Sequence, residues 1–357
     1  TKKNFSPTAT ATASSSEPLS PEYSMTKPTK KDELGLQAIN LLTTALESGN
    51  LADWLPSFLK GSDSPLYPRS FGTGNPYSGM NSLICLIHTP KGGSPFWLTA
   101  KNCRDNGISY AGTKGKWVTI TKFSPFKTTD KVTGEEVTKR FMKKFVVINA
   151  AHLDIPEELQ AKMDATIAKR CEVQMRPELT DPITLTEETC MEWMKNAGVR
   201  FQIGEYSYGE CVPWLGGRAK TYDSAHYIPL HDEITMPKPK QFVEGRKGYA
   251  HTLAHECCHA TGHELRLNRD LTGRPGSNAY AKEEVVAEIG AAIITASTGT
   301  ELDEANCAAY VKHWLDLCQD SPSALSSGIK KAQDAAAMVL SKTEGKKVEK
   351  QEEVAMA

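Results

Sequence analysis

The sequence predicts an α+β protein of two domains, the second of them mainly helical. Its 357 residues favour two domains over one. In the first half, two segments alternate apolar and polar residues on either side of a Thr-Gly turn, a pattern typical of a β-hairpin. In the second half, four successive segments have apolar residues at helical spacing, at about 246–262, 280–296, 303–319 and 324–342.

The elements of the N-terminal part follow from local composition. Residues 1–30 are rich in Ser, Thr, Pro and Ala without an apolar period, which predicts a disordered arm. Apolar residues at helical spacing predict a helix over 32–48, which Gly49 ends. The prolines and glycines of 54–81 predict a long loop, and the apolar run 82–88 predicts a short strand.

The rest of the first domain and its connection follow in chain order. A short helix is predicted over 98–106, followed by hairpin strands over 117–123 and 139–148. An amphipathic helix over 156–171 is predicted to connect the domains. The chain is predicted to divide into a disordered arm (1–30), a first domain (31–153), a linker helix (154–180), a second domain (181–343) and a disordered tail (344–357).

The second domain is predicted to open with a helix over 186–196. Thr186 is the predicted N-cap, and Gly198 lies just past the end. A strand is predicted over 199–203, and one or two strands are predicted over 219–229. The four helices named above complete the domain.

Composition excludes several classes of protein. No apolar run reaches the roughly 18–20 residues of a membrane-spanning helix, so an integral helical membrane protein is excluded. Nine cysteines are scattered singly except for one adjacent pair, which argues against a disulfide framework and for a reducing compartment. No secretory signal is visible at the start of the sequence, so a cytoplasmic location in a host cell is expected, with delivery together with DNA or packaging in a virion as the alternatives.

Charge is distributed unevenly along the chain. The formal net charge is −1, yet residues 51–150 hold 14 Lys and Arg against 6 Asp and Glu. The same segment carries 13 of the 27 aromatic residues. A basic segment with interleaved aromatic residues is a candidate surface for a polyanion, single-stranded nucleic acid above all. The alternative is a solvated basic face on an ordinary domain.

The pentapeptide His255-Glu256-Cys257-Cys258-His259 is the strongest chemical signal in the sequence. Two histidines four residues apart lie on one face of a helix, so both imidazoles can bind one metal ion. Zinc lowers the pKa of a coordinated water molecule to about 7, and Glu256 is predicted to be the general base that takes its proton. The pattern therefore predicts a zinc-dependent hydrolytic site.

A catalytic zinc site usually has three protein ligands. The histidine of the extended metalloprotease pattern would lie six residues after His259, but that position is Leu265. The alternative is a carboxylate from a later helix, where Glu284 and Glu288 lie four residues apart on one face. Glu284 is predicted to be the ligand, Glu288 to accept a hydrogen bond from a ligand histidine, and Glu283 to be exposed to solvent. A plain surface row of carboxylates is the alternative.

Residues near the pentapeptide support weaker predictions. His263 continues the four-residue spacing, which permits a metal contact, but a role at the helix end is favoured. His251 is predicted either to line the cleft or, more plainly, to pack in the core. The two cysteines between the histidines are predicted to be packing residues. His226 and Tyr227 lie in an alternating stretch that predicts a strand at the cleft edge, able to pair with a substrate backbone.

Several blocks of the sequence, in this order and spacing, resemble the ArdC-type antirestriction proteins of conjugative plasmids and mobile elements. The N-terminal blocks are PRS at 68–70, TGNPYSGMN at 73–81, WLT at 97–99 and GTKG at 112–115. The C-terminal blocks are GRA at 217–219, DEITMP at 232–237, TLAHE at 252–256, TGH at 261–263, RLNR at 266–269 and EEVVAE at 283–288. The resemblance covers about residues 31–342.

The resemblance implies a small α+β domain that binds single-stranded DNA, followed by a zincin-like, gluzincin-type metallopeptidase domain. It is consistent with a zinc ion, or manganese in its place, bound by His255, His259 and Glu284, with Glu256 as the catalytic base. The predicted DNA contacts are the basic and aromatic residues Arg69, Tyr77, Trp97, Lys101, Lys114, Lys116 and Trp117.

The implied biological role is protection of the incoming DNA of a mobile element or phage against host restriction. The implied partners are single-stranded DNA and an unidentified protein substrate, for example a host restriction component; no membrane partner is expected. One alternative function is DNA binding with a structural or vestigial metal site and no peptidase activity. The other is a metallopeptidase unrelated to nucleic acid.

Overall fold

The computed structural model of the protein mixes helices and strands, as predicted. It describes residues 30–49, 51–129, 133–174, 181–207, 219–221, 224–274, 277–299, 304–318 and 321–341. The predicted arm 1–30, apart from its last residue, and the predicted tail 344–357 lie outside the described residues. Among the described helices, none combines the length and the apolar character needed to cross a membrane.

The N-terminal region begins with two helices, α1 (Lys30–Ser48) and α2 (Leu51–Lys60). The prediction that a loop begins at residue 54 is therefore wrong. Pro56 lies inside α2, where a proline removes one backbone hydrogen bond. The helix persists because burying one large apolar side chain contributes about 1.5–3 kcal/mol. Five such side chains of α2 are buried, namely Leu51, Trp54, Leu55, Phe58 and Leu59.

The segment 82–88, predicted to be a strand, belongs to helix α3 (Met80–Ile87). Its residues from Leu83 to Leu86 are at most 3% exposed, so no polar face interrupts the apolar run. Gly79 starts the helix at φ +58°, and its N–H donates to the side chain of Gln333 at 2.9 Å. A continuous apolar run indicates that a segment is buried, but it does not show whether the segment is a strand or a helix.

A four-stranded sheet follows, with strand order β1-β2-β4-β3. Its strands are β1 (Arg69–Ser70), β2 (Phe96–Thr99), β3 (Trp117–Thr129) and β4 (Glu136–Asn149). β1 is parallel to β2, and the other neighbours are antiparallel. The predicted helix over 98–106 is instead the end of β2 followed by a shorter helix, α4 (Ala100–Asp105).

Helices cover both faces of this sheet at its base. Val118 and Val147 pack into the core that includes α1–α3. Leu98 and Ile148 pack on the other side, against the connecting helix α5 (Glu157–Gln174). β3 and β4 are longer than predicted and continue past this covered base as a two-stranded ribbon. We call this ribbon, residues 120–129 and 136–145, the hairpin arm.

The C-terminal region begins with helix α6 (Pro182–Ala197). It starts earlier than predicted because Asp181, and not Thr186, is the N-cap: its carboxylate accepts a hydrogen bond from the N–H of Thr184 at 3.0 Å. Gly198 ends the helix at φ +72°, as predicted, because glycine adopts left-handed backbone readily.

Short strands follow α6. They are β5 (Arg200–Ile203), β6 (Glu205–Ser207), β7 (Ala219–Thr221), β8 (His226–Ile228) and β9 (Glu233–Met236). β6 and β7 form a ribbon, and the other three form a sheet of order β5-β9-β8. The stretch 219–229 therefore contains two strands, one of the two outcomes predicted, and β8 is an edge strand of its described sheet.

Four helices complete the C-terminal region close to the predicted positions. They are α7 (Arg246–Ala260), α8 (Asn278–Ser297), α9 (Glu304–Leu317) and α10 (Pro322–Leu340). α8 packs on both α7 and α10. The N-terminal helices join the same core, since α1 packs on α10 and α2 packs on α8. One continuous apolar core therefore spans both regions of the chain.

Gly290 of α8 provides a test of this packing. A Cβ at this position would lie 2.5 Å from the Sγ of Cys258 on α7. Alanine in a helix ordinarily stabilises by about 1 kcal/mol relative to glycine. Here we expect Gly290→Ala to lower the free energy of unfolding by about 1–3 kcal/mol, because it overpacks the core.

Urea unfolding measures the change, with Cys258→Ala as a second substitution. Removing the sulfur should restore most of the stability lost in Gly290→Ala, because the two residues are in contact. A gain in stability for Gly290→Ala alone would contradict the described packing of α7 on α8.

Candidate functional site

Helix α7 places its two ligand-type histidines side by side. Leu253, Ala254 and Cys257 are fully buried, so they define the face of α7 that packs in the core. His255 and His259 lie one turn apart toward α8, with their ring centroids 4.7 Å apart in edge contact. The four-residue spacing in the sequence therefore brings both imidazoles together, as predicted.

Glu284 of α8 meets the two histidines at one point. The Nε2 atoms of His255 and His259 lie 3.0 Å apart. The Glu284 carboxylate lies 3.7 Å from the first Nε2 and 3.5 Å from the second. One ligand atom of each residue lies within 4.8 Å of the others, and no second group of this kind occurs among the described residues. This donor set fits a divalent metal bound by two imidazoles and one carboxylate.

A further carboxylate holds the other ring nitrogen of each histidine. His255 Nδ1 lies 3.2 Å from Glu288, and His259 Nδ1 lies 3.2 Å from Glu283. Contacts of this type set the ring tautomer and leave Nε2 available to a metal. The position of Glu288 agrees with the prediction. The prediction that Glu283 is exposed is wrong: it is 8% exposed, because it lies against His259 and a guanidinium.

That guanidinium belongs to Arg269, in the loop after α7. It donates to both oxygens of Glu283, at 2.7 and 3.0 Å. It also donates to the carbonyl of Cys258 at 2.7 Å and to Thr261 Oγ1 at 2.8 Å. A bidentate arginine offsets the loss of hydration of a buried carboxylate. Sequence reasoning missed this contact because no helical spacing relates Arg269 to Glu283.

The carboxylates control the protonation of the cluster. Burial lowers the pKa of His255, but the hydrogen bond to Glu288 and the charges of Glu288, Glu256 and Glu284 outweigh it and raise the pKa to about 9. Burial raises the pKa of Glu288, yet the three histidines around its carboxylate, of which His255 is the nearest, bring that pKa far below its usual range. The cluster therefore has a negative field that stabilises a bound cation.

A cleft of about 370 Å³ opens onto these side chains. Glu256 lines it and is 6% exposed. Tyr280 of α8 also lines it; burial, followed by the charge of Glu284 and a hydrogen bond to it, raises the pKa of Tyr280 to about 12. The Tyr280 phenol is thus a proton donor at neutral pH. The cleft brings the Glu256 carboxylate and the Tyr280 phenol close to the three ligand-type side chains.

Strand β8 borders the cleft, as predicted from its alternating sequence. His226 and Tyr227 both line the cleft. The Tyr227 hydroxyl donates to Asp232 at 2.8 Å, and Arg266 binds both oxygens of the same carboxylate. Asp232 itself has φ +47°, in the left-handed region that few non-glycine residues adopt. These contacts tie the border strand to the loop after α7.

Three further histidines lie near the cluster without joining the candidate ligand set. His251 and His313 approach Glu288, at 3.8 and 3.6 Å. His251 thus lies behind the cluster and not among the cleft-lining residues. His263 accepts a hydrogen bond from the N–H of Leu265 at 3.2 Å, which agrees with the favoured role at the helix end. Sequence reasoning missed His313, which no motif marks.

Two of the predicted DNA contacts are buried, so these predictions are wrong. Trp97 is 1% exposed and cannot stack on a base. Arg69 is 4% exposed, and its guanidinium donates to the carbonyls of Ser62 at 2.6 Å and Gly74 at 3.3 Å. Both side chains are used to build the N-terminal core and its loop. Tyr77 is half-buried and packs against the same core.

The other predicted DNA contacts reach the surface to different extents. Lys101, Lys114 and Lys116 are exposed. Trp117 is half-buried; its indole N–H donates to Thr113 at 2.8 Å, and its ring packs edge-on against Tyr110. These residues remain candidate contacts for a nucleic acid.

The hairpin arm carries aromatic residues that sequence reasoning did not select. Phe123, Phe126, Phe141 and Phe145 are between 37% and 53% exposed. Exposed apolar patches of this kind commonly mark interaction surfaces. The alternation of Phe and Lys over 122–127 and 139–145 is the sequence signal that could have identified them.

Two family models match the chain, one for each region. The model described as the N-terminal domain of anti-restriction factor ArdC matches residues 34–148. The model described as a zincin-like metallopeptidase matches residues 218–331 and includes the whole histidine and carboxylate cluster.

Solved structures and curated proteins give further similarity. The antirestriction ArdC protein from the R388 plasmid is 25% identical, with TM-scores of 0.51 in its metal-free and 0.52 in its Mn(II)-bound crystal structure. Each comparison covers 88% of this chain and at least 97% of the ArdC chain. Two proteins called DNA primase TraC of Escherichia coli are each 30% identical over about 80% of this chain. The chain spans only 25% and 18% of their lengths.

The burial of the Glu283–Arg269 pair leads to a stability prediction. We expect Arg269→Ala to lower the free energy of unfolding by about 3–5 kcal/mol, because Glu283 would stay buried without its guanidinium. Chemical unfolding in the presence of a chelator measures this without a contribution from metal.

Arg246→Ala is the matched control. It removes a guanidinium that pairs with Glu187 at 2.7 Å, but this arginine side chain is 53% exposed. Solvent screens such a pair, so little change in stability is expected. Equal losses for the two variants would contradict the buried role of Arg269.

Proposed function

This chain belongs to the family of ArdC-type antirestriction proteins and has a zincin-like C-terminal domain, and on that premise we propose that it is a metallopeptidase that also binds single-stranded DNA. The observation that carries the proposal is the convergence of His255, His259 and Glu284, with a further carboxylate on each histidine. A zincin-like domain implies a metal ion. Two imidazoles and one carboxylate suit zinc, and manganese is the second choice because one R388 ArdC structure holds Mn(II).

The chain's own residues divide the work at this site. His255, His259 and Glu284 would hold the ion, while Glu288 and Glu283 orient the two rings. When bound, zinc supplies Lewis acidity, which lowers the pKa of water and polarises a carbonyl group. Among the described residues β8 is an edge strand of its sheet, and its outer side would offer backbone groups for pairing with an extended peptide.

Glu256 is the proposed general base. In peptide hydrolysis the oxygen of water bonds to the carbonyl carbon, and a proton from that water passes to Glu256. The carbon–nitrogen bond then breaks, and the amine leaves with the proton that Glu256 returns. Tyr280 lines the same cleft as a proton donor and is suited to hydrogen-bond the carbonyl oxygen.

The N-terminal region is proposed to bind single-stranded DNA. Its surplus of positive charge and its high share of aromatic residues match the two components of such binding, phosphate neutralisation and base stacking. Lys101, Lys114, Lys116 and Trp117 lie at the surface of this region. Little sequence preference is expected, because phosphates and base faces are common to all sequences.

The proposed biological role joins both activities in the cytoplasm of a host cell. Single-stranded DNA entering with a mobile element or phage would recruit the protein, which would then block or cleave a component of host restriction. Because a peptidase cleaves peptide bonds, the restriction component that it cleaves would be a protein.

A second function deserves a test because α8 belongs to the core shared by both regions. A metal ion held between α7 and α8 could serve stability alone. In that case the protein would be a single-stranded DNA-binding protein with a structural metal site and no peptidase activity.

Metal analysis separates these possibilities. Purified protein is expected to contain about one zinc or manganese ion per chain by elemental analysis. His255→Ala should lose the ion because it removes a ligand. Glu256→Ala should keep the ion and lose peptide hydrolysis. A chelator should lower the melting temperature of the wild type, because an ion that binds only the folded state stabilises it.

The opposite outcomes are equally informative. Protein without stoichiometric metal, and with a melting curve that a chelator leaves unchanged, would contradict the metal site. A metal-loaded Glu256→Ala variant that still protects DNA from restriction would favour the structural role of the metal.

DNA binding is tested separately by fluorescence anisotropy with labelled single-stranded and duplex oligonucleotides at several salt concentrations. We expect tighter binding to the single strand. The logarithm of the affinity should fall with the logarithm of salt concentration by about 0.7 for each phosphate neutralised. Absence of any binding at low salt would remove the DNA half of the proposal.

A further inference from the structure

The hairpin arm leaves the covered part of the sheet at a defined point. There the Asn81 side chain donates to the Thr121 carbonyl at 2.7 Å and accepts from the Thr121 N–H at 3.0 Å, so α3 caps the outer edge of β3. Beyond Thr121 most described side chains of the arm are exposed. Lysines commonly protect exposed strand edges from aggregation, but that protection requires no phenylalanine. The phenylalanines therefore need another explanation.

The strand register sorts the side chains of the arm onto two faces. Residues directly opposite each other on antiparallel strands share a face, and faces alternate along each strand. Lys122 lies opposite Lys143, and Phe126 lies opposite Lys139. We call the face that contains these residues the aromatic face. Its phenylalanines and lysines are Phe126, Phe141, Phe145, Lys122, Lys139 and Lys143.

The two faces differ in charge and composition. The paired residues of the aromatic face, from Ile120 to Thr128, include no acidic side chain. On the opposite face, Lys127 forms a salt bridge with Glu136 at 2.9 Å. Phe123 is the phenylalanine of that face within the paired residues. Three of the four exposed phenylalanines and three lysines, with no acidic residue among them, therefore share the aromatic face, whereas the opposite face carries one phenylalanine with Lys127, Lys144 and Glu136.

The rings and ammonium groups of the aromatic face alternate along the arm. Phe126 and Phe141 pack edge to face with centroids 5.7 Å apart. The Lys143 ammonium lies 5.1 Å from the Phe141 ring. Phe145 lies four residues after Phe141 on β4, which at the rise of a strand is a distance of about 13 Å. A ring pair, a cation and a further ring thus form one strip.

Resting on the proposed binding of single-stranded DNA, we propose that the aromatic face of the hairpin arm is the surface that holds the strand. Unpaired bases stack on Phe126, Phe141 and Phe145, and the three lysines neutralise phosphates. Duplex DNA covers its base faces by stacking, so it offers these rings no equivalent contact. Recognition by stacking also explains why aromatic side chains remain exposed here.

Paired substitutions on the two faces test the proposal in the full chain. The probe is labelled oligothymidylate of about 15 nucleotides, within the range that one single-strand-binding module covers. Phe126→Ala combined with Phe141→Ala should weaken binding at least about fivefold, the lower limit for losing one stacked base. Phe145→Ala provides an independent single-site test of the same face. Phe123→Ala, on the opposite face and 53% exposed, should leave the affinity unchanged.

Salt dependence provides a second measurement. Lys143→Gln should reduce the salt slope by about 0.7, the contribution of one phosphate on a single strand. Lys144→Gln changes the neighbouring residue, which lies on the opposite face, and should leave the slope as in the wild type.

The outcomes separate this inference from the function it rests on. If the wild type does not bind the oligonucleotide at low salt, the proposed DNA-binding function fails. If the wild type binds and the aromatic-face variants bind equally well, the location proposed here is wrong. If Phe123→Ala weakens DNA binding as much as the aromatic-face variants do, the choice of face is wrong. A variant that dissociates a wild-type oligomer and leaves DNA binding intact would identify the face as a contact between copies.

Discussion

The close approach of α7 and α8 sets the geometry of the whole histidine and carboxylate cluster. Two imidazoles and a carboxylate can share one point only if the two helix backbones lie near each other. Small residues on α8, Ala287 and Gly290, permit that approach, and a Cβ at Gly290 would collide with α7. The same helix supplies Glu284 and both carboxylates that orient the histidine rings. A rotation of α8 would therefore displace all three groups together.

The N-terminal helices are built onto this helix pair, so the division between family domains is not a division of the core. Gln333 of α10 shows the connection in detail. Its amide donates to the Tyr67 hydroxyl at 3.0 Å and to Ser82 at 3.3 Å, and its oxygen accepts from Gly79. Polar links of this kind, added to shared apolar packing, hold the N-terminal helices and the helices of the candidate metal site in one unit.

Sequence reasoning succeeded where a short spacing determines geometry. The pairs His255/His259 and Glu284/Glu288 each span one helical turn, so their convergence could be predicted once the helices were recognised. Glu283 could not be placed in this way, because its burial depends on Arg269 from a loop that no periodicity describes.

The N-terminal predictions failed for related reasons. Residue type indicates what Trp97 and Arg69 can bind, but it does not indicate whether tertiary packing buries them. Both side chains are in fact buried. The hairpin was underestimated because Pro125 interrupts the strand pattern, although an edge strand such as β3 tolerates proline. The sequence alone showed that the region is basic and rich in aromatic residues. Identifying the face of the hairpin arm that carries most of the exposed rings required the strand register.

If the cleft binds a peptide as proposed above, the anchoring of strand β8 affects which peptides it selects. Tyr227, Asp232 and Arg266 connect the strand, the turn after it and the loop beyond α7. A border held in this manner has little conformational freedom to lose when a guest chain pairs with it. The entropy lost on association then comes almost entirely from the guest. Peptides whose backbone is already stiff and extended would therefore bind more tightly than flexible peptides with the same side chains. The cleft would discriminate by the rigidity of the peptide chain.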